Sequence, residues 1–369
     1  MKELAAPDLR WLDEAVAIAR PWLGTTAENP TVGALVVDPE TDMLIASGVT
    51  AKGGRPHAET QALDEAGELA RGKTLYVTLE PCHHWGRTPP CVDAVIRAGI
   101  GRVVVGVADP DPRTAGESLR RLAAAGIETL LADHPGALHL HEGHAMRQRA
   151  GRPFVTLKLA VSADGMIGRR DEGGIAITGA DARDWTHRLR ARSDAVLVGG
   201  RTALLDDPQL TVRLPGLETR TPLRLILAGS EPIGRELNLT GNVSAYRVAV
   251  IAQSDLRLDL PASIEVVRTE GEGARPDLAE VLQVLGRRGI QNLLVEAGAE
   301  LTESMLEAGL VDRFALLTSD KVIGVGGLAA TAEGTISERI AAAGLVEVSN
   351  QPLGADMLTL YERQAPEAL

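Results

Sequence analysis

The sequence is poor in aromatic side chains and contains only two cysteines among 369 residues. With 2% aromatic residues, the core must be built from aliphatic side chains, and few rings are left for stacking on nucleic-acid bases. No apolar run reaches the length of a membrane span, and the first residues do not resemble a signal peptide. A net charge of -12 disfavours binding to nucleic acid or to an anionic membrane surface. We therefore expect a cytoplasmic enzyme that binds neither partner.

The length predicts two domains, because 369 residues exceed what one ordinary core holds. In the first part, Asp8 is predicted to cap a helix that runs to Ala19. Further helices are predicted at 57–70, 91–98 and 117–125, and strands at 31–37, 74–79, 102–107 and 127–131. Strands separated by helices indicate a largely parallel sheet with helices on both faces.

Residues 132–152 interrupt this alternation and place the boundary between domains 1–148 and 152–366. The segment contains His139, His141 and His144, and it is also rich in arginine. A metal or phosphate site is one interpretation; a solvated connecting helix is the other, and the sequence favours it. Beyond the boundary, helices are predicted at 182–192, 277–288 and 300–308, and strands at 154–162, 194–198, 223–227, 248–251, 264–267, 292–296, 314–318 and 357–361. No internal repeat is found.

The residue types around the two cysteines indicate a catalytic zinc site. His57, Cys82 and Cys91 offer one imidazole and two thiolates, which leaves the fourth position of tetrahedral zinc for water. His57 and Cys91 both lie at predicted helix starts, where the helix dipole favours a thiolate. Glu59, two residues after His57, can move protons between that water and a leaving amine. The site would hold one zinc ion per chain.

Three other interpretations of these residues are open. Cys82 and Cys91 could be small buried hydrophobic residues, with His57 capping a helix. Zinc could instead staple a non-catalytic binding protein, but such a closed site needs a fourth protein ligand and has no use for Glu59. A tRNA or DNA base deaminase is disfavoured by the net charge of -12 and the scarcity of aromatic residues.

The motifs His57-Ala58-Glu59 and Glu80-Pro81-Cys82 resemble those of the cytidine deaminase superfamily. The longer spacing to Cys91, through Gly86-Arg87-Thr88-Pro89-Pro90, resembles the bifunctional riboflavin-biosynthesis family, in which a pyrimidine deaminase is fused to a reductase. Two further segments are similar to that family, Asn29-Pro30-Thr31-Val32-Gly33 and Asp109-Pro110-Asp111-Pro112. The resemblance implies a cytidine-deaminase-like three-layer α/β domain acting on a small phosphorylated pyrimidine.

The same resemblance implies substrate contacts in the first domain from Asn29, His84 and Arg87. A guanidinium at Arg87 suits a substrate that carries a phosphate, because paired hydrogen bonds hold the anion. Alternatively, Arg87 stabilises the loop through a salt bridge, and Asn29 is a turn residue before Pro30.

The second half resembles the reductase of that family from Pro153 to about Tyr361, which implies a dihydrofolate-reductase-like fold that binds NADPH. The implied substrate residues are Lys158, Arg190, Leu210, Arg213 and Glu296. The implied cofactor residues are Ala160, Thr202, Asp206, Gly298, Ala299, Glu300, Leu301 and Thr302. Independently, Gly298 follows a predicted strand, so the free N–H groups of residues 299–302 could face a phosphate.

The chain departs from the family at three places in this half. Gly174-Ile175-Ala176 stands where Ser-Gln-Trp is frequent, Ala228-Gly229 replaces a frequent Asp-Ser, and Asp320 replaces a Pro before Lys321. These changes leave open a deaminase whose second domain has lost hydride transfer. We also expect a homo-oligomer formed through the second domain.

Overall fold

The computed structural model describes residues 4–169, 174–229, 233–234, 237–241, 245–270 and 275–363. The chain divides into two compact units, Met1–Gly151 and Arg152–Leu369. The last residues of the predicted second domain, 364–366, lie outside the described part. Within the described ranges, every helix is too short or too polar to cross a membrane.

The first unit contains five strands and six helices. They are α1 (Ala6–Ala19), β1 (Gly33–Asp38), β2 (Met43–Val49), α2 (Ala58–Ala66), β3 (Thr74–Leu79), α3 (Cys91–Ala98), β4 (Arg102–Val107), α4 (Glu117–Ala124), β5 (Glu128–Leu131), α5 (Pro135–Leu140) and α6 (Glu142–Ala150). Short 3-10 turns follow α1 at Arg20–Trp22 and α2 at Gly67–Ala70, so the predicted helix 57–70 is two elements.

These elements form three layers around a sheet of order β2-β1-β3-β4-β5. Leu35, Tyr76 and Val104 pack with α1 on one face, whereas Val36, Val77 and Val105 pack with α2 and α3 on the other. The expectation of a largely parallel sheet is wrong here, because β1 is antiparallel to both β2 and β3. Strand β2 was not predicted, since its residues alternate in burial only over their last part.

Helix α2 lies directly against β2 because Gly48 has no side chain. A Cβ atom at Gly48 would lie 2.2 Å from the backbone oxygen of Ala58 and 2.7 Å from the backbone nitrogen of Ala62. Any larger residue would push away the first turn of α2. Gly48 therefore fixes the position of the turn that carries His57 and Glu59.

Asp8 does not cap α1, contrary to the prediction. The N-cap is Ala5, and Pro7 occupies the first turn, where its missing N–H costs nothing. Asp8 is buried and receives two hydrogen bonds from Arg102, at 2.7 and 2.9 Å, and one from the hydroxyl of Tyr76. Although burial opposes ionisation, these hydrogen bonds lower the pKa of Asp8. The carboxylate thus ties α1 to the sheet.

The segment 132–152 is not a solvated connecting helix. It forms α5 and α6, and His141 and His144 are buried against the sheet of the first unit. Nε2 of His141 lies 3.0 Å from Oγ1 of Thr78, and Nε2 of His144 lies 3.0 Å from Oδ1 of Asp109. The prediction failed because the two imidazoles pair with polar side chains of β3 and of the loop after β4. Helix periodicity does not reveal such partners.

The second unit contains eleven strands and six helices among its described residues. They are β6 (Phe154–Val161), β7 (Met166–Arg169), α7 (Ala180–Ala191), β8 (Ala195–Gly199), α8 (Gly200–Asp206), β9 (Leu223–Leu227), α9 (Asn238–Gly241), β10 (Val248–Gln253), β11 (Glu265–Thr269), α10 (Leu278–Arg287), β12 (Asn292–Glu296), α11 (Ala299–Glu307), β13 (Arg313–Thr318), β14 (Gly327–Ala329), α12 (Ile336–Ala342), β15 (Leu345–Leu353) and β16 (Asp356–Arg363).

Nine of these strands form one sheet of order β11-β10-β9-β8-β12-β6-β13-β16-β15. The strands from β11 to β13 are parallel, and β16 and β15 are antiparallel. Strands β7 and β14 pair separately. The predicted strands and helices of this unit are present, whereas β7, α8, α9, β14, α12 and β15 were not predicted, because they are short or exposed.

We predict that acidification destabilises the first unit through His141. Burial lowers the pKa of His141 to about 3, whereas an unfolded histidine titrates near 6.5. Below pH 6.5 the unfolded chain takes up a proton that the folded unit excludes, so stability is lost as the pH falls, by about 2 kcal/mol at pH 5. Urea unfolding of the full chain at pH 7 and pH 5 measures this loss.

The variant His141→Gln should lose less stability over the same pH interval. The matched control is His139→Gln, because His139 is exposed on the same segment. An equal loss in His141→Gln and in the unaltered chain would show that other groups cause the pH dependence.

Candidate functional site

The three predicted zinc ligands lie together at one edge of the first sheet. His57 is the N-cap of α2, Cys82 follows the end of β3, and Cys91 is the first residue of α3. Nδ1 of His57 lies 3.3 Å from Sγ of Cys91 and 3.7 Å from Sγ of Cys82. All three donor atoms lie within 4.8 Å of one another, and no other such group occurs among the described residues.

This donor set fits zinc. Zinc–nitrogen and zinc–sulfur bonds in a tetrahedral site place neighbouring N and S atoms about 3.5 Å apart. The distances from Nδ1 of His57 to the two sulfurs match that separation. Because three protein donors are present rather than four, one coordination position is left for a small molecule.

Hydrogen bonds prepare one of the two sulfurs as a thiolate. The thiol of Cys91 and, to a lesser extent, the imidazole of His57 lower the pKa of Cys82 to about 4. The backbone N–H of Cys91 also donates to Sγ of Cys82, at 3.2 Å. The same contact between the sulfurs, together with burial, raises the pKa of Cys91. A cation between the sulfurs would be needed to hold both as thiolates.

Glu59 lies in the first turn of α2 and is buried beside these ligands. Burial raises its pKa to about 7, against the attraction of His57. A carboxyl group with a pKa near neutrality can both accept and release a proton at working pH. This is the property expected of a proton carrier.

Glu80 joins the loops that border this group. Its Oε2 accepts hydrogen bonds from the N–H groups of Asp109, at 3.3 Å, and Gly116, at 3.0 Å. Its Oε1 accepts from the hydroxyl of Ser118, at 2.6 Å. Because Glu80 is two residues before Cys82, the loop after β4 is held beside the cysteines. The loop contains Asp109-Pro110-Asp111-Pro112, one of the two segments that carried the family resemblance.

Asn29 and His84 each contact a loop residue near in sequence to the ligands or to the loop after β4. The side-chain amide of Asn29 lies against Gly54, where a Cβ atom would approach Nδ2 to 2.1 Å, and Gly54 has a φ of +91°. Nδ1 of His84 lies 3.4 Å from the hydroxyl of Thr114 in the loop after β4. Asn29 also forms a turn with Thr26, as the alternative interpretation expects, and its contact with substrate stays a prediction.

Arg87 is exposed, and within the described ranges it forms no ion pair. The alternative of a loop-stabilising salt bridge is therefore wrong for the described structure. Its guanidinium is therefore available to an anion.

In the second unit, three of the predicted substrate residues lie together. Lys158 on β6 pairs in register with Glu296 at the end of β12. Arg190 on α7 donates two hydrogen bonds to Glu296, at 2.5 and 2.9 Å, and one to the backbone oxygen of Thr211. Burial raises the pKa of a carboxylate, but the charges of Arg190 and Lys158 lower that of Glu296 overall. Burial lowers the pKa of Lys158.

Two other predicted substrate residues lie on the segment after α8. The side chain of Leu210 is buried in the core, so only its backbone, with a φ of +53°, is available to a ligand. Arg213 is exposed and donates to Oε1 of Gln209 and to the hydroxyl of Thr211. Sequence reasoning missed His187, whose pKa is lowered by burial and by the charges of Arg190 and Arg213. A histidine one turn before Arg190 on α7 was the signal that could have found it.

The predicted cofactor residues gather at the start of α11. Gly298 is the N-cap of this helix, and a Cβ atom there would lie 3.1 Å from the hydroxyl oxygen of Thr202 on α8. The prediction that the N–H groups of residues 299–302 are free is wrong for Thr302, which donates to the backbone oxygen of Gly298. The N-cap carbonyl accepts the first helical hydrogen bond, so only the preceding N–H groups are free.

The remaining residues of this set differ in their surroundings. Glu300 pairs with Arg275, Leu301 packs against Gly199, and Oγ1 of Thr302 is buried with no hydrogen-bond partner in the described part. Ala160 lies on β6, two residues beyond Lys158. Asp206 ends α8 and accepts a hydrogen bond from the N–H of Gly174 at 3.0 Å.

Two of the segments that depart from the family are held by specific contacts. Besides the bond from Gly174 to Asp206, the backbone oxygen of Ala176 accepts a hydrogen bond from Nζ of Lys321, at 2.8 Å. Ala228 is buried at the end of β9. Hydrogen bonds thus hold the segment 174–176 to α8 and to Lys321, although the side chains that are frequent in the family are absent there.

Comparison with family models gives two matches that divide the chain. Residues 6–107 match the cytidine and deoxycytidylate deaminase zinc-binding region. Residues 153–357 match the RibD C-terminal domain. The first match contains the three-ligand group and Glu59, and the second contains the cluster of Lys158, Arg190 and Glu296.

Characterised relatives match over most of their length. The riboflavin biosynthesis protein RibD of Haemophilus influenzae is 38% identical over 338 residues, covering 88% of this chain and 89% of the relative. The RibD of Escherichia coli is 36% identical over 334 residues, covering 86% and 89%.

Solved structures give the same result. RibD of Acinetobacter baumannii superposes with a TM-score of 0.84 at 32% identity, covering 97% of this chain and 99% of that chain. The crystal structure of a diaminohydroxyphosphoribosylaminopyrimidine deaminase/5-amino-6-(5-phosphoribosylamino)uracil reductase from Thermotoga maritima superposes with a TM-score of 0.83 at 30% identity, covering 97% and 99%.

We predict that the purified chain binds one zinc ion, held by His57, Cys82 and Cys91. Plasma mass spectrometry of His57→Ala and Cys91→Ser should find the zinc content reduced to about one tenth or less, since loss of one of three protein ligands removes most of the affinity. His83→Ala is the matched control, because His83 is adjacent to Cys82 and is not one of the three donors. Full zinc occupancy in His57→Ala would place the ion elsewhere.

Proposed function

The chain belongs to the RibD family of riboflavin biosynthesis proteins, and we propose the residues by which each of its two units acts. It is a bifunctional enzyme of riboflavin biosynthesis with deaminase and reductase activities, and it uses zinc and NADPH. The first unit would deaminate a diaminohydroxyphosphoribosylaminopyrimidine, and the second would reduce the resulting 5-amino-6-(5-phosphoribosylamino)uracil, the reactions for which the Thermotoga maritima protein is named. The observation that carries this proposal is the three-ligand group with buried Glu59 beside it.

In the first unit, His57, Cys82 and Cys91 would hold zinc through Nδ1 and the two Sγ atoms. Zinc, when bound, supplies a Lewis acid that lowers the pKa of water toward neutrality. Glu59 would take a proton from the attacking water and deliver it to the amine that leaves as ammonia. Asn29 and His84 would orient the pyrimidine ring, and Arg87 would bind the substrate's phosphate.

In the second unit, the cluster of Lys158, Arg190 and Glu296 would bind the ribosyl phosphate side chain of the substrate. Because Nε and Nη2 of Arg190 donate to Glu296, this arginine would position the carboxylate, and Lys158 would present a cation to the substrate. Leu210 would contribute backbone atoms, and Arg213 a second cation.

NADPH, when bound, supplies hydride for reduction of the side chain. The start of α11, from Gly298 to Thr302, would receive a cofactor phosphate at its free N–H groups. Thr202 and Asp206 on α8 and Ala160 on β6 would complete this site. A helix start after a parallel strand is a common place for such a phosphate.

Two alternatives are disfavoured by specific observations. A zinc staple requires a fourth protein ligand, and the described group has three donors. A deaminase that has lost its reductase activity is not favoured by the match of residues 153–357 to the RibD C-terminal domain. The cytoplasmic location stays a prediction.

A matched pair of variants tests the two activities separately. Glu59→Gln should keep zinc but release ammonia about 10²–10⁴-fold more slowly, because it cannot transfer the proton. With the already deaminated substrate, the same variant should oxidise NADPH at the normal rate. Lys158→Met should show the reverse pattern, with normal ammonia release and NADPH oxidation slowed at least about tenfold.

Ammonia release is followed by a coupled assay and NADPH oxidation by absorbance. Normal ammonia release by Glu59→Gln would contradict its assigned role. An unaltered chain that releases ammonia but never oxidises NADPH with the deaminated product would favour a deaminase alone.

We also propose that the chain forms a homo-oligomer through its second unit. Strand β15 ends the described nine-stranded sheet, and Val346 and Val348 on it are 40% and 50% exposed. An uncovered edge strand with apolar side chains pairs readily with a second copy. Light scattering should find an oligomer that Val348→Lys weakens; a monomeric unaltered chain would contradict the proposal.

A further inference from the structure

Arg55 lies close in sequence to the zinc ligand His57, in the loop that joins β2 to α2. It precedes His57 by two residues, so its Cα lies within about 7 Å of that ligand's Cα. Nη1 of Arg55 donates a hydrogen bond to the hydroxyl of Thr88, at 2.6 Å. Nη2 lies 3.1 Å from the position that a Cβ atom would take on Gly86. The guanidinium of Arg55 therefore lies against the residues on both sides of Arg87.

Within the part of the chain that the structure describes, neither arginine is neutralised by a carboxylate. Other cations of the first unit form ion pairs with carboxylates, such as Arg102 with Asp8 and Arg121 with Asp93. For Arg55 and Arg87 no such pair exists among the residues with described positions. Arg55 thus contacts the two residues that flank Arg87, and two such cations, in a chain with a net charge of -12, can attract an anion to this segment.

The chemistry of the two side chains selects a phosphate group. A guanidinium has five N–H donors in a planar fork that matches phosphate oxygens. Arg55 uses one nitrogen for Thr88, and its others remain available. A phosphate monoester carries up to two negative charges at neutral pH, so two guanidinium groups can balance it.

We propose that Arg55 is a second phosphate-binding residue of the deaminase site, acting with Arg87 to select a phosphorylated ribosylaminopyrimidine over its unphosphorylated form. The inference rests on the proposed function of the first unit. It adds a specificity-determining side chain from a different loop, one that sequence reasoning did not identify. The neighbouring Gly54 lies against Asn29, so the same short loop would position Asn29 and bind the phosphate.

Deamination kinetics of the zinc-loaded full chain test this inference with two substrates, the phosphorylated ribosylaminopyrimidine and the same compound without its phosphate. Arg55→Gln should raise KM for the phosphorylated substrate by about 10- to 100-fold, as loss of a charge-assisted hydrogen bond does, with kcat within about twofold. For the unphosphorylated substrate, kcat/KM should not change. Arg55→Lys should lie between, because it keeps the charge without the fork.

Two control variants separate phosphate binding from loop support. Thr88→Val removes the hydrogen bond to Arg55 but keeps both guanidinium groups, so its KM should stay near normal. Arg71→Gln removes an exposed arginine beyond the other end of α2 and should have no effect. Equal losses on both substrates in Arg55→Gln, or no loss on either, would overturn the inference while leaving the deaminase assignment intact.

A binding measurement keeps the test independent of turnover. The zinc-loaded chain, labelled with ¹⁵N-arginine, is titrated with inorganic phosphate, and the Nε–Hε signals are assigned with Arg55→Lys and Arg87→Lys. We expect the signals of Arg55 and Arg87 to shift together along one binding curve. A shift of Arg87 alone would overturn the inference. Absence of ammonia release by the unaltered chain would instead count against the proposed function.

Discussion

The deaminase site depends on two hydrogen bonds that join the ends of the loop between Cys82 and Cys91. The backbone N–H of Cys91 donates to Sγ of Cys82, and the N–H of Val92 donates to the backbone oxygen of Cys82. These bonds fasten the first turn of α3 to the end of β3. Because Gly48 has no side chain, α2 packs directly against β2, and His57 at the start of α2 lies beside the two cysteines. The backbones of α2, of the end of β3 and of α3 thus hold the three donor atoms in place without an ion. Less conformational entropy is therefore lost when zinc binds.

The second unit uses a different device at its site. Burying a carboxylate costs free energy unless the group is paired. Glu296 is paired, because it accepts hydrogen bonds from Nε and Nη2 of Arg190. Desolvation of the two groups offsets the attraction between them, so the role of this pair lies in the fixed orientation of the carboxylate. Lys158 lies opposite Glu296 in register, on the neighbouring strand. The two sites therefore share a principle, in which backbone register and buried hydrogen bonds fix side chains in advance.

Much of this arrangement could be predicted from the sequence, and the failures have physical causes. Strands β3, β4, β9 and β12 and helix α3 were predicted at their observed bounds, because buried aliphatic runs end at Pro or Gly. The convergence of His57, Cys82 and Cys91 followed from residue chemistry. The roles of Asp8, His141 and His144 did not, since each is decided by a polar partner distant in sequence. Arg55 was missed for the same reason, because only the fold brings it to Thr88.

The strand order of the second sheet has a consequence for how the chain is made. An interior strand of that sheet, β6, is the first of the unit to be synthesised, yet its two neighbours are β12 and β13. One edge of β6 therefore stays unpaired until β12 ends at Glu296, and the other until β13 ends at Thr318, whereas every strand of the first sheet is complete by Leu131. Such distant pairing gives the second unit a high contact order, and with it slow folding and a long exposure of aliphatic surface. During synthesis, the strands of the first unit are thus complete while the second unit still lacks its last strands.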